Sequence, residues 1–253
     1  MKVKNADWYK NIWTLDIKSH SWVEETEKQV NFIIDTLSLN GNERILDLAC
    51  GFGRHALAFA RKGYSVVGVD ITKDYIDDAI NTAKLASLDI DFIHSDIRDL
   101  SFKNEFDVVL NMADGAIGYL ENDEENFKIF DVIANALRPG GKHFMDICNA
   151  EHAEQYFPKK CWDMGAKALS LSEFDWDREK RRMLFGGYEI IFDEIARKPE
   201  PFEADTIRLY SKAELEAILQ QRQMTIINTF SNYSGQEASN KELQLMVYSK
   251  KNE

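Results

Sequence analysis

The sequence predicts an α/β protein: a doubly wound, mainly parallel sheet that carries an antiparallel β insertion. Between residues 44 and 149, apolar segments of strand-like and helix-like periodicity alternate, as successive β-α units do. A turn of small residues, 49–53, joins the first of these strands to its helix, at the carboxyl edge where open α/β sheets bind ligands. After Asn149 the alternation gives way to a two-residue period, as in Leu169-Ser170-Leu171-Ser172.

Ser21 and Glu24, three apart, precede the apolar positions Val30, Ile33, Ile34 and Leu37. They read as a capping box opening an amphipathic helix, which Asn40-Gly41-Asn42 ends. Strands are expected at 44–48, 65–70, 91–94, 106–111 and 142–147. Helices fall between them at 53–62, 73–85 and 125–137, and the turn Arg138-Pro139-Gly140-Gly141 precedes the fifth strand. A second capping box, Ser211 with Glu214, opens a helix at 211–221, and strands at 224–230 and 243–249 bring the sheet to seven. Residues 150–205 form the insertion. They hold Pro158, Pro199 and Pro201 and the aromatics Phe174, Trp176, Phe185, Tyr188 and Phe192. A hairpin turning at 175–180 is expected there, with a return strand at 182–192 bulged or kinked at Gly186-Gly187. The expected organisation is a core of 1–149 and 206–253, with an N-terminal helical and aromatic flap over 1–40, and an insertion at 150–205 that covers the substrate site.

At 253 residues, with 44% apolar and 29% charged positions, the chain has room for one large domain with one substantial insertion. Its net charge of −12 repels nucleic acid and anionic membranes, so neither is an expected partner. The basic cluster Arg178, Lys180, Arg181 and Arg182 is interleaved with Asp175, Asp177 and Glu179 and reads as a solvated hairpin tip. No stretch of 18 uncharged residues occurs, so no transmembrane helix is expected, and Met1-Lys2-Val3-Lys4-Asn5 leads into no apolar signal core. Cys50, Cys148 and Cys161 are odd in number and lack C-x-x-C spacing, which fits a reducing, cytoplasmic location better than a disulfide frame or a zinc site. No metal is expected.

Function concentrates in Asp47-Leu48-Ala49-Cys50-Gly51-Phe52-Gly53-Arg54-His55-Ala56. Gly51 and Gly53 remove Cβ atoms that would hold a ligand off the backbone, and the N–H groups of the following helix offer partial positive charge. The spacing satisfies G-x-G-x-x-A, so a dinucleotide is one candidate ligand. Asp70 ends the next strand, where a carboxylate can accept both hydroxyls of a ribose under either nucleotide reading. Asp47 separates the readings, because a carboxylate there repels a pyrophosphate but suits an ammonium or sulfonium charge. In His94-Ser95-Asp96-Ile97, the acid can accept from an exocyclic amine and the isoleucine can lie against a purine face.

With those residues the chain resembles the class I S-adenosylmethionine-dependent methyltransferases of the bacterial small-molecule type, whose first motif reads D-L-A-C-G-x-G. The likeness is strong over about 40–149 and weaker over 205–250. The resemblance implies a Rossmann-like sheet and S-adenosylmethionine as cofactor. Ala49, Gly51 and Gly53 would lie near its methionine part, Asp70 at the ribose, Asp96 and Ile97 at adenine, and Asn111 would close the site; Asp47 and Ile71 complete the expected cofactor-binding residues. The acceptor would be a nitrogen or oxygen nucleophile of a small molecule. A non-catalytic module binding the same cofactor, and an NAD-dependent oxidoreductase, are the alternatives; for the latter no catalytic His or Tyr-x-x-x-Lys arrangement accompanies the turn, since Tyr64 and Tyr75 have no lysine four residues on.

Methyl transfer from a sulfonium is an in-line displacement that positioning and water exclusion can accelerate, so a base is optional. Asp114 can attract or deprotonate a cationic amine, and Tyr119 can orient an acceptor. Trp8, Tyr9, Trp13 and Trp22 crowd the first 22 residues, and a flap made of them could aim the Tyr9 hydroxyl at the reacting centre. Asn149 and His152 lie just beyond the fifth strand, at the active edge, whereas His55 and His143 read as packing or surface histidines.

Overall fold

The computed structural model describes residues 2–164, 168–191 and 201–253. After three short 3-10 turns, the chain forms α1 (Thr26–Leu37), β1 (Arg44–Leu48), α2 (Arg54–Arg61), β2 (Ser65–Asp70), α3 (Lys73–Leu85), β3 (Asp91–His94), β4 (Phe106–Asn111), α4 (Asp123–Ala136) and β5 (Leu137–Cys148). Then come α5 (Ala150–Tyr156), β6 (Lys159–Met164), β7 (Ala168–Asp177), β8 (Arg182–Ile191), β9 (Phe202–Arg208), α6 (Lys212–Gln220), β10 (Met224–Phe230) and β11 (Gln244–Lys251).

Seven strands make one sheet in the order β10-β11-β5-β4-β1-β2-β3. β3, β2, β1, β4 and β5 pair in parallel, and β11 runs antiparallel between β5 and β10. Parallel strands covered on both faces need continuous apolar runs, and neighbouring residues point to opposite sides. Ile45 and Val108 accordingly join Val30, Ile33 and Phe59 of α1 and α2 on one face. Leu46 and Val109 join Ile129, Phe130 and Ile133 of α4 on the other. The chain winds outward from β1 through β2 and β3, then returns to place β4 on the opposite flank. The carboxyl ends of β1 and β4 thus stand side by side at the topological switch point.

The insertion is a second, antiparallel sheet, β6-β7-β8-β9. Its hairpin closes at Asp177↔Arg182, and a register shift between Phe185 and Gly187 against β9 marks the expected irregularity. A Cβ at Gly187 would lie 2.0 Å from the Leu171 carbonyl oxygen, so only glycine fits this close pairing. Phe192 lies outside the described residues. β9 continues to Arg208, past the boundary expected at 205, and α5 was not foreseen. The basic cluster does more than face solvent. Arg181 pairs with Glu214 at 2.7 Å, and Arg182 donates to the carbonyls of Leu120 and Glu121 at 3.1 and 3.3 Å, tying the hairpin to the core.

The Ser211–Glu214 capping box is present. The one expected at Ser21 is not: α1 begins at Thr26, behind Glu25, which gives no side-chain cap. No helix among the described residues is long and apolar enough to cross a membrane.

Candidate active site

β1 ends in a backbone turn that bends the wrong way for most side chains. Ala49, Gly51 and Gly53 have φ of 54°, 57° and 76°. Ala49 there costs roughly 1–2 kcal/mol that glycine would avoid. The strain is held by Asp70 at the end of β2, whose two carboxylate oxygens accept from the N–H groups of Gly51 and Thr72, both at 2.8 Å. Each oxygen keeps a second acceptor direction. A Cβ on Gly51 would meet only the edge of the Tyr75 ring, 3.8 Å away, whereas one on Gly53 would strike the Phe92 ring at 2.9 Å. Gly51 therefore keeps the cavity open. Gly53 instead lets α2 pack against β3, which corrects the ligand-contact role expected for it.

Asp47 is 1% exposed, and neither of its carboxylate oxygens has a hydrogen-bond partner. Burial holds its acid up at about 7, against the opposing pull of the Arg54 guanidinium. An isolated buried carboxylate is costly unless a cation faces it. Arg54 donates to Thr26 Oγ1 at 2.9 Å and Gln29 Oε1 at 2.6 Å, and its guanidinium lies 4.9 Å from the Trp22 ring centre.

Across the switch point, the loop after β4 makes a turn of left-handed backbone: Ala113, Asp114, Gly115 and Ala116 have φ of 52°, 66°, 51° and 64°. Three non-glycine residues in this region, at about 1–3 kcal/mol each, mark a loop that the surrounding fold over-determines. Asn111 pins it, donating from Nδ2 to the Gly115 carbonyl at 3.0 Å, while its Oδ1 faces His143 Nε2 at 3.3 Å. The turn brings Asp114 Oδ1 to the Cys148 N–H at 3.2 Å and Oδ2 to the Tyr119 hydroxyl at 3.1 Å. Burial, then Asp146, holds the Asp114 acid up at about 6.

Between these two edges lies a cavity partly open to solvent. Asp47, Ala49, Gly51, Asp70, Ile71, Tyr119 and Tyr9 line it, and the N-terminal strap adds Trp13, Ile17 and Trp22. Trp13 lies offset over Tyr119 with centroids 6.1 Å apart and planes within 11°, and Trp8 packs behind at 5.1 Å from Tyr119.

Several expected residues stand elsewhere. The Asp96 carboxylate is taken by Arg98, at 2.6 Å from Nη2, and neither Asp96 nor Ile97 lines the cavity. Arg98 also reaches Glu125 at 2.6 Å and Glu121 at 3.3 Å. The Tyr9 hydroxyl donates to Glu121 at 2.9 Å, so it fastens the strap and is not aimed at a reacting centre. Asn111 positions the loop without lining the cavity, and Asp114 stands behind Tyr119. Asn149 caps α5 by accepting from the Glu151 N–H at 2.9 Å, and His152 Nδ1 faces the Asn240 carbonyl oxygen at 3.1 Å, so both are fixed by structure. No described residue of 150–205 lines the cavity. The insertion instead braces the strap. The Trp8 indole donates to the Thr206 carbonyl at 3.3 Å, and Lys2 and Lys4 pair through their backbones with Ala204 of β9 at 2.7 and 3.0 Å.

The sequence reading missed Arg54, Thr72 and Tyr75, all in the wall. Arg54 directly follows the glycine turn and was open to notice; Tyr75 was hidden as one apolar position of α3. His55 and His143 are buried, with His55 Nε2 on Gln29 at 2.9 Å and His143 Nδ1 on Ser249 at 3.1 Å, as packing histidines should be. Among the described residues, no cluster of three His, Cys, Asp or Glu side chains could hold a metal.

Residues 45–141 match a family of methyltransferase domains. Over 144 residues the chain is 28% identical to a putative methyltransferase, YqeM, of Bacillus subtilis (strain 168), covering 56% of each protein. Over 102 residues it is 35% identical to the cypemycin N-terminal methyltransferase of a Streptomyces species, covering 40% of each. The matched part thus spans about half the length of these curated relatives. In fold, the chain is similar over 94% of its length to an S-adenosylmethionine-dependent methyltransferase from Clostridium acetobutylicum, with a TM-score of 0.76, 19% identity and 97% of that chain covered.

Proposed function

Residues 45–141 match a family of methyltransferase domains and the fold is shared with an S-adenosylmethionine-dependent methyltransferase, and from that premise we propose that the protein is a class I S-adenosylmethionine-dependent methyltransferase that moves a methyl group to a nitrogen or oxygen nucleophile of a small molecule. The observation that carries this reading is Asp47, a buried carboxylate without a partner, in the wall of a cavity that also presents Asp70. A dinucleotide would set a pyrophosphate against Asp47, whereas S-adenosylmethionine offers it positive charge.

In this reading Asp47 faces the ammonium of the methionine end and Arg54 its carboxylate. The free acceptor directions of Asp70 take the ribose hydroxyls, and Ile71 lies against the nucleoside. When bound, the cofactor supplies an electrophilic methyl on a sulfonium. Trp13, Trp22 and Tyr9 close the cavity from the strap side, excluding water and holding the acceptor in line. Asp114, acting through the Tyr119 hydroxyl, accepts the proton that the nucleophile releases. The N-terminal methyltransferase relative, by its name, acts on an amine, which supports nitrogen as an acceptor.

Calorimetric titration with S-adenosylmethionine, followed by detection of S-adenosylhomocysteine on incubation with candidate acceptors, tests this. Binding followed by turnover is the expected result. Binding without turnover on any acceptor would leave a cofactor-binding module, and binding of NAD in its place would refute the reading.

A further inference from the structure

We propose that the acceptor is a small amine, received as its ammonium at Tyr119, with the Asp114 carboxylate behind that hydroxyl and the Trp13 ring beside it. The inference rests on the methyltransferase reading above and narrows it.

The Tyr119 hydroxyl spends its proton on Asp114 Oδ2, at 3.1 Å. Its oxygen is left as an acceptor, so a group meeting it must bring a hydrogen. That disfavours a carboxylate or phosphate acceptor and admits an N–H or O–H. Charge separates the last two. Asp47 and Asp70 line the β1–β2 edge of the cavity, Asp114 stands behind Tyr119 at the β4 edge with Asp146 near it, and Arg54 is the one cationic side chain among the described lining residues. S-adenosylmethionine carries a net charge of +1. With it and Arg54 set against Asp47 and Asp70 at the β1–β2 edge, the carboxylates at the β4 edge, Asp114 and Asp146, are left without a compensating cation from the lining or the cofactor. A monocation supplies one; a neutral alcohol does not. The rings of Trp13 and Tyr119 in the cavity wall add cation–π attraction.

The chemistry balances without another reactant. The ammonium gives one proton to the Tyr119 oxygen as the Tyr119 proton passes to Asp114. The freed nitrogen pair forms the N–C bond while the methyl–sulfur bond breaks and leaves its pair on sulfur. The product is a methylated ammonium, and the Asp114 proton returns to solvent.

Three probes of one skeleton test this: benzylamine, benzyl alcohol and benzoate, each titrated at about pH 8 into protein already loaded with S-adenosylhomocysteine. Benzylamine should bind about tenfold or more tighter than the alcohol, the preference a charge-assisted contact gives, and benzoate should not bind. Asp114→Asn should bring amine and alcohol to within about twofold, as should Tyr119→Phe if the first variant folds poorly; retained S-adenosylhomocysteine binding reports an intact fold. Equal or tighter binding of the alcohol or benzoate, no binding of any probe to the loaded protein, or an unchanged preference in both variants would overturn the amine assignment. Failure of S-adenosylhomocysteine itself to bind would strike the cofactor reading, and the first titration step reveals it separately.

Discussion

The Tyr119 hydroxyl and the Asp114 carboxylate are joined at 3.1 Å across a turn of left-handed backbone, with the phenol in the cavity wall and the acid behind it. A half-buried carboxylate coupled to the cavity through one hydroxyl is suited to accept a proton at neutral pH. Its acid is held up to about 6, first by burial and then by Asp146.

In the proposed mechanism the ionised form of Asp114 accepts the proton. Turnover should therefore rise with pH through about 6 and level off above it, losing about tenfold per unit on the acid side. Asp114→Asn should remove that limb and lower kcat by roughly 10²–10⁴, the usual worth of a positioned base. A pH–rate profile of both proteins checks this.

Asp47 should trade stability for binding. Its acid stands at about 7 when folded and near 3.9 when unfolded, so the folded state holds an extra proton between those values. The stability this group contributes falls as pH rises through that window. Asp47→Asn should then melt above the parent at about pH 8, by up to ~4 kcal/mol less what Arg54 loses, and the gain should vanish near pH 4. In the same variant S-adenosylmethionine should bind at least about tenfold more weakly. Melting curves at both pH values, with and without ligand, give the comparison.

Asp70→Ala should cost more than a ribose contact. It orphans the Gly51 and Thr72 N–H groups, each about 1–3 kcal/mol if left unsatisfied, and frees the strained turn. Cofactor affinity should drop about 10–100-fold with a measurable loss in denaturant midpoint. Unchanged affinity would remove Asp70 from the site.

The strap and the insertion should separate. Trp13→Ala opens the cavity wall and should lower kcat/KM for the acceptor by about tenfold or more. Trp162→Ala, on an exposed β6 position of the insertion sheet, should leave kcat/KM within about twofold. Steady-state kinetics of both variants decides whether the wall or the brace governs the acceptor.

The sheet was legible because buried parallel strands write themselves as apolar runs. Ile45-Leu46 and Val108-Val109 show both faces covered, and the Ser211–Glu214 box marks a helix start by local chemistry alone. The Ser21–Glu24 spacing carried the same local signature, yet the chain there turns as a 3-10 segment and α1 starts later. Asp47 and Asp70 were readable because strand ends at a switch point are few. Asp96 was not, because its partner Arg98 is set by a network that also draws on Glu121 and Glu125, across a fold that no local pattern reveals. The strap was visible as a tryptophan cluster, but its path along β9, through Ala204 and Thr206, is a contact between segments some two hundred residues apart.

The account's central claim is that the cavity at Asp47 holds S-adenosylmethionine, and calorimetric titration of S-adenosylmethionine, S-adenosylhomocysteine and NAD into the parent and Asp47→Asn proteins tests it most directly. The account predicts saturable binding of the first two by the parent, weakened about tenfold or more for S-adenosylmethionine in the variant, and no binding of NAD by the parent. Binding of NAD without S-adenosylmethionine, or equal S-adenosylmethionine affinity in both proteins, would contradict it.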